Sequence, residues 1–172
     1  LARVVEFNDL PALAEALSHH DVACVITEPV MTNSCMVLPE PGFHAGLRRL
    51  TRETGTLLLI DETHTISTGP SGYTRAYGLE PDLSVVGKPI AGGVPASVWG
   101  FTDDVARRLD QARAVTPPGH SGMGTTLSAN ALALAAMRAT LERVMTPEAY
   151  AHTERLAGQL AAGLQTSVSK HA

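Results

Sequence analysis

Short runs of apolar residues alternate along the chain with longer segments in which apolar residues recur every three or four positions. The short runs predict β-strands. The run at residues 57–60 is apolar at every position, as expected for a strand covered on both faces in a parallel sheet. The predicted strands are residues 22–27, 57–60, 83–86 and 96–101.

The intervening segments predict amphipathic helices. Asn8 or Asp9 is the expected N-cap of the first helix, and Gly55 is suited to end the second. Pro147 is suited to the first turn of the last helix. The predicted helices cover residues 10–18, 41–54, 103–114, 128–144 and a segment that begins near residue 147. Strands that alternate with helices predict an α/β fold, with a mostly parallel sheet and flanking helices.

Composition and charge limit the classes of function. The chain has 172 residues, of which 44% are hydrophobic and 17% charged, and no apolar run is long enough to span a bilayer. A net charge of −4 provides no basic surface for nucleic acid or an anionic membrane. Cys24 and Cys35 lack a C-x-x-C spacing and the histidines lack metal-ligand spacing, so no disulfide framework or metal site is predicted. We therefore expect a reducing, cytoplasmic setting.

Three polar clusters follow predicted strands. In open α/β sheets, ligands bind beyond the carboxyl ends of the strands, so these clusters are expected to lie at one edge of the sheet. The clusters are residues 28–33, 61–65 and 87–93.

Lys88 is the most unusual residue in these clusters. Only two of the thirteen Lys and Arg residues are lysines, and the other, Lys170, lies in the polar tail. Apolar residues and glycines flank Lys88, and such surroundings favour a neutral amine that can attack a carbonyl. The alternative is an ordinary lysine whose side chain extends from a loop into solvent.

Asp61 ends the apolar strand at residues 57–60. A carboxylate in a partly desolvated position needs a cationic partner or good hydrogen-bond donors, and a protonated pyridine nitrogen is one such partner. The alternative is a carboxylate that caps the following turn.

Residues 124–128 contain hydroxyl groups just before the Ala-rich helix predicted at 128–144. Hydroxyls and free backbone N–H groups at a helix start can bind a phosphate. Ser128 would equally serve as a simple N-cap.

The order of these motifs resembles the class-III (subgroup II) aminotransferases, pyridoxal-phosphate enzymes of fold type I, near the glutamate-1-semialdehyde 2,1-aminomutase branch. The resemblance implies that the chain is part of the large domain of that fold. It rests on Glu28-Pro29-Val30 with Asn33, on residues 58–62, on residues 81–88 with 92–95, and on residues 124–130.

The resemblance implies a role for each matching position, with pyridoxal 5'-phosphate as the cofactor. Lys88 would form the Schiff base, Asp61 would pair with the pyridine nitrogen, and Asn33 would lie near the phenolic oxygen. Thr63 would pack on the ring face, and Thr126 would bind the cofactor phosphate of a neighbouring subunit in a homodimer. The substrates would be a small amine or amino acid and a keto or aldehyde compound.

The sequence also departs from the family pattern. Thr63 stands where Val is usual, and His64 where Gln or Met is common, so His64 could donate to the cofactor oxygen or face solvent. Ile66 replaces a common Gly, and Ala129 and Ala131 replace the usual residues around Asn130. These changes bear on substrate choice more than on cofactor binding.

The resemblance also predicts how the chain is divided. Residues 1–145 would be the C-terminal part of the cofactor-binding large domain, and residues 146–172 the first helix of a small C-terminal domain. The chain has no initiator Met, and the family's phosphate loop would precede its first residue, so an internal fragment is expected. The alternative function is therefore a truncated, non-catalytic fragment that does not hold the cofactor alone.

Two other motifs fail on inspection. A P-loop would need Gly at Asp82 and Ser or Thr at Pro89. A nucleophile elbow at residues 119–123 would need Gly in place of Met123.

Overall fold

A single four-stranded sheet organises the computed structural model, which describes residues 2–117, 119, 124 and 126–171. The strands lie in the order β1-β2-β3-β4. The first three are parallel, and β4 runs antiparallel to β3. Their bounds are β1 Cys24–Thr27, β2 Leu57–Asp61, β3 Leu83–Val86 and β4 Val98–Phe101. The predicted α/β class with a mostly parallel sheet is confirmed.

The direction of β4 follows from the connection that precedes it. A parallel crossover needs a dozen or more residues and usually a helix, whereas the segment between β3 and β4 contains only the short 3-10 turn Lys88–Ala91. The chain therefore reverses direction. β4 is also largely open to solvent, with Trp99 49% exposed.

The helices begin and end at local signals. The Asp9 carboxylate caps α1 by accepting a hydrogen bond from the Ala12 N–H, and Gly55 ends α2 with φ of 72°. The predicted start at Ser128 is wrong, because Asn130 caps that helix by accepting from the Ala133 N–H. The helices are α1 Leu10–Leu17, α2 Phe43–Thr54, α3 Gly72–Ala76, α4 Asp103–Ala114, α5 Ala131–Arg143 and α6 Pro147–His171, and a second 3-10 turn covers Thr65–Thr68.

The hydrophobic core lies between β2 and the pair α1 and α2. Leu17 and Leu47 from the helices pack with Leu58 and Ile60 from the strand, and each is less than a tenth exposed. Because side chains alternate along a strand, Asp61 leaves β2 on the face opposite to Leu58 and Ile60. The core therefore holds the strand whose end carries Asp61.

An ion pair ties α2 to the sheet. Arg48 donates from Nη1 and Nη2 to the two carboxylate oxygens of Asp82 at 2.7 and 2.8 Å, and the Leu58 N–H donates to Asp82 Oδ2 at 2.8 Å. Burial by itself would raise the pKa of Asp82, but these hydrogen bonds and the charges of Arg48 and Arg108 together hold it below its usual value. Asp82 thus links α2 to β2 just before β3 begins.

The long helix α6 has no buried residue among those described. Its first turn is linked to the chain after β2, because the Tyr150 hydroxyl donates to the Ile66 carbonyl at 3.0 Å. In the described part of the chain no helix is both long and apolar enough to cross a membrane. The division of the chain at residue 145 stays a prediction.

Candidate active site

The three parallel strands end level with one another. Thr27 of β1 pairs with Ile60 of β2, and Asp61 of β2 pairs with Val85 of β3. The polar segments that follow these strands consequently meet at one edge of the sheet.

Lys88 stands at the start of the 3-10 turn after β3. It has a φ of 48°, a left-handed conformation that costs a non-glycine residue roughly 1–2 kcal/mol. Strain of this kind is common at functional sites, where the surrounding structure holds it in place. Here Gly87 on one side and Ile90 and Ala91 on the other are buried and anchor the turn.

The surroundings of Lys88 differ from those expected. Its apolar neighbours in sequence, Ile90 and Ala91, turn inward, whereas Lys88 is exposed at the edge of the sheet. Its Nζ is hydrogen-bonded to His64 Nε2. Lys88 is therefore exposed and makes a polar contact, in place of the apolar surroundings expected from the sequence.

His64 connects Lys88 to the segment after β1. Its Nδ1 is hydrogen-bonded to Thr32 Oγ1, and the Thr32 hydroxyl donates to Glu28 Oε2 at 2.9 Å. The same Glu28 oxygen lies 3.7 Å from His64 Nδ1. The sequence left open whether His64 faces the site or the solvent, and in the structure its side chain faces the site. Within residues 2–117, 119, 124 and 126–171, no three His, Cys, Asp or Glu side chains are grouped to hold a metal ion.

Glu28 and Thr32 were not predicted as site residues. Both lie in the predicted polar segment 28–33, and they are four residues apart on an irregular stretch of chain. Neither spacing nor composition identified them, because their partner His64 is more than thirty positions away in sequence. The sequence signal for Glu28 and Thr32 was the polar character of residues 28–33.

Asp61 makes one hydrogen bond in the described residues: its Oδ1 accepts from the Thr63 N–H at 2.8 Å. No Lys, Arg or His among those residues lies within 4 Å of its carboxylate. One oxygen thus caps the following turn, as the alternative interpretation predicted. The carboxylate is half-buried without a protein cation, which suits a positively charged ring nitrogen.

Thr63 lies against the backbone that carries Lys88. Both Oγ1 and Cγ2 of Thr63 are 3.6 Å from the point where a Cβ would stand on Gly87, and Ser97 Cβ is 3.7 Å from it. The end of β2 and the start of the Lys88 turn are therefore in contact through Thr63. This brings three of the predicted positions, Asp61, Thr63 and Lys88, to one place.

With this geometry in view, comparison with known proteins identifies the family. The sequence model of the family "Aminotransferase class-III" matches residues 4–172. The chain belongs to the class-III aminotransferases. The predicted family is confirmed, and the enzymes of this class use pyridoxal phosphate.

Individual relatives of this class-III chain agree with the assignment. It is 41% identical, over 97% of its length, to glutamate-1-semialdehyde 2,1-aminomutase 2 of Bacillus thuringiensis. A solved glutamate-1-semialdehyde aminomutase of Pseudomonas aeruginosa PAO1, in complex with PMP, matches 98% of the chain at 55% identity with a TM-score of 0.91. A β-phenylalanine aminotransferase of Variovorax paradoxus matches 86% of the chain and 34% of its own at 30% identity, with a TM-score of 0.73. The chain spans 38% of the length of each of the two aminomutases.

Two further predicted positions of the class-III site lie apart from this cluster. Asn33 is exposed beside Thr32, and Thr126 is exposed before α5. Neither makes a hydrogen bond to the other site residues in the part of the chain that the structure describes. Residues 120–123 and 125, which include parts of two motifs, lie outside the described residues. The roles assigned to Asn33 and Thr126 stay predictions.

Glu62 is a buried carboxylate that sequence reasoning placed in a motif without a role. It is 3% exposed and accepts hydrogen bonds from the Thr65 hydroxyl at 2.7 Å and from the backbone N–H groups of Tyr73 and Thr74 at 2.9 and 2.5 Å. Gly72 passes so close that a Cβ there would stand 2.6 Å from Glu62 Oε2. Glu62 thereby fixes the chain that carries Thr63 and His64.

Proposed function

We propose that this chain acts in the pyridoxal-phosphate-dependent transfer of an amino group, as an aminotransferase or aminomutase, with the cofactor attached to Lys88 as a Schiff base. The observation that carries the proposal is the convergence of Lys88, Asp61 and Thr63 at the ends of two neighbouring parallel strands in a class-III chain. The names of its relatives, an aminomutase and an aminotransferase, support this reaction class.

The side chains present fit the cofactor. An exposed primary amine at Lys88 suits its aldehyde. The Asp61 carboxylate, which has no cationic partner among the described residues, suits its ring nitrogen. Thr63, which lies against Gly87 beside this amine, is the candidate for contact with the ring face. In the same proposal Asn33 would lie near the phenolic oxygen of the cofactor. Thr126 would contact the phosphate of the cofactor bound to a neighbouring subunit in a homodimer.

Each residue has a distinct chemical task. When bound, pyridoxal phosphate stabilises the electron pair that is released when a bond at the substrate carbon breaks. Asp61 would hold a proton on the ring nitrogen through its negative charge. Lys88 would bind the cofactor and, once its amine is free, carry a proton to and from the substrate carbon as general base and acid. Its place at the edge of the sheet leaves the amine accessible to substrate.

The substrate class and setting belong to the same proposal. A small amine or amino acid and a keto or aldehyde partner are the reactants that this chemistry requires. A cytoplasmic location is supported by Cys24 and Cys35, both of which are free thiols. Residues 1–145 would belong to the large domain of the enzyme, and residues 146–172 would begin the small one.

A second candidate function is a fragment that does not retain the cofactor alone. Two observations favour it: the chain spans 38% of the aminomutases it matches, and the amine of Lys88 is open to solvent. A reversible adduct exposed to water would hydrolyse readily.

Two lysines make a direct test of both candidates possible. The chain is mixed with pyridoxal phosphate, reduced with borohydride and mapped by peptide mass spectrometry, with Lys88→Ala as the variant and Lys170→Ala as its matched control. We expect a stable adduct on the Lys88 peptide that survives Lys170→Ala and disappears in Lys88→Ala. Equal total labelling of wild type and Lys88→Ala would contradict the first candidate. Labelling of Lys88 no greater than that of Lys170 would favour the second.

A further inference from the structure

The hydrogen bonds around His64 indicate which atom donates and which accepts at each contact between Lys88 and Glu28. The Thr32 hydroxyl donates its single hydrogen to Glu28 Oε2, so Thr32 Oγ1 can only accept at its contact with His64 Nδ1. Nδ1 therefore carries a hydrogen. In the neutral ring the lone pair is then on Nε2, and Nε2 faces Lys88 Nζ.

We propose that His64 is the proton acceptor for the Lys88 amine, and that Glu28 and Thr32 select the ring tautomer that this task requires. When Lys88 is an ammonium, its Nζ–H bond breaks and the proton joins His64 Nε2. Nζ keeps the electron pair and becomes a neutral, nucleophilic amine. Transfer in the opposite direction returns the proton to Lys88. His64 is thus a positioning residue that acts through Lys88.

A carboxylate lies beside the other nitrogen of the ring. The imidazolium that forms would carry its other hydrogen on Nδ1, 3.7 Å from Glu28 Oε2. Asp61 and Glu62 precede His64 on its own segment, and Lys88 is the basic residue hydrogen-bonded to its ring. The side chains of His64 and Glu28 are 23% and 30% exposed, so solvent screens their attraction less than on an open surface.

The identity of residue 64 supports a basic role. Histidine is the side chain whose ordinary titration lies closest to neutrality.

This inference rests on the proposed function for its purpose, because Lys88 is the proposed cofactor lysine. Its tests use the full 172-residue chain without cofactor, so the two proposals can fail separately. Failure of cofactor to attach to Lys88 would leave the proton transfer intact. Failure of the tests below would leave Lys88 as the cofactor residue without His64 as its base.

The first test is the tautomer of His64 in the wild-type chain. Nitrogen-15 NMR distinguishes the two neutral tautomers, and the His64 signals are assigned by their loss in His64→Gln. We expect the hydrogen on Nδ1 in wild type. In Thr32→Val, which removes the acceptor while keeping the shape, we expect a shift towards the hydrogen on Nε2, the form that free histidine favours. A wild-type ring with its hydrogen on Nε2 would overturn the proposal.

The second test measures the amine itself. Trace labelling with acetic anhydride modifies only neutral amines, and Lys170 near the end of α6 serves as the internal reference. In His64→Gln, which keeps a hydrogen-bond acceptor but not a base, we expect the ratio of Lys88 to Lys170 labelling at neutral pH to fall. Glu28→Gln should lower it less, because the base remains.

The matched control is His19→Gln, an exposed histidine beyond α1, for which the labelling ratio should stay unchanged. Circular dichroism checks that each variant is folded. An unchanged ratio in folded His64→Gln would show that His64 contacts the lysine without accepting its proton, and the proposal would be wrong.

Discussion

The N-terminal and C-terminal halves of the chain differ in how far their apolar side chains are buried. In α1, α2 and β2, the large apolar side chains are buried against one another, and Leu47 is 2% exposed. In β4, α5 and α6, apolar side chains are exposed, and Leu160 is 65% exposed. The candidate site lies where β2 and β3 leave the packed half, so its precise geometry depends on that half.

This difference suggests where substitutions will act. A side chain that fills the β2 core should matter to the stability of the whole chain and to the position of Asp61. A side chain of the same type on α6 should contribute little to the free energy of unfolding of this chain. Paired substitutions, one in each half, can test the comparison.

The largest expected effect is in the core. Leu47→Ala should lower the free energy of unfolding by about 3 kcal/mol, because it removes buried methyl groups and leaves a cavity. Leu160→Ala on α6 is the matched control and should change it by less than about 0.5 kcal/mol. Urea unfolding followed by circular dichroism measures both. Equal losses in the two variants would refute the division into a packed and an exposed half.

The next effect concerns the link between α2 and the sheet. Asp82→Ala leaves Arg48 and the Leu58 N–H without their acceptor and should cost about 2–3 kcal/mol. Glu53→Ala breaks the exposed Arg49–Glu53 pair and should cost under about 0.5 kcal/mol.

Acid should reduce the contribution of Asp82. Because the folded pKa of Asp82 lies below its unfolded value, the stabilisation is complete above the unfolded value and is lost as the pH falls through the folded one. Urea titrations across that range should therefore show the stability gap between wild type and Asp82→Ala narrowing in acid. A gap that stays constant would contradict the assigned ion pair.

A pair of glycine substitutions should have effects of opposite sign. Gly72 has φ of 73° and faces Glu62 Oε2, so Gly72→Ala should destabilise the chain by about 2 kcal/mol through strain and contact. Gly163 lies within α6 with open space where its Cβ would stand, so Gly163→Ala should stabilise by about 0.5–1 kcal/mol. Thermal unfolding would measure the two shifts. A rise in both melting temperatures would show that Glu62 does not hold the chain at Gly72.

The smallest effect is the pH dependence due to His44. Burial lowers the pKa of His44, whose Nε2 is hydrogen-bonded to the Pro29 carbonyl and whose buried Nδ1 has no hydrogen-bond partner among described residues. The unfolded chain, with the ordinary value of 6.5, binds the proton more readily than the folded one. Stability should therefore be complete above that value and decline as the pH falls below it.

His44→Gln should weaken this decline, whereas His152→Gln at an exposed position should not. The measurement is the urea midpoint of each protein on both sides of the histidine titration range. The same slope in wild type and His44→Gln would exclude His44 as the cause.

Local patterns predicted most elements correctly. Residues 83–86 and 103–114 are β3 and α4 with the predicted bounds, because apolar runs, caps and turn residues act over a few neighbouring positions. The class-III motifs, read in order, were enough to predict the family, the fold class and the cofactor of the family. They were also enough to place Asp61 and Lys88 at the same edge of the sheet.

Long-range contacts decided the rest. The antiparallel direction of β4, the exposure of Lys88 and the buried hydrogen bonds of Glu62 follow from how distant segments pack, which no local period encodes. The path from Lys88 through His64 and Thr32 to Glu28 joins residues from three strand ends. Sequence alone determined which chemical groups were available at the edge of the sheet. Only the tertiary structure determined which groups touch, because the hydrogen bonds that connect them form after the parallel strands have paired.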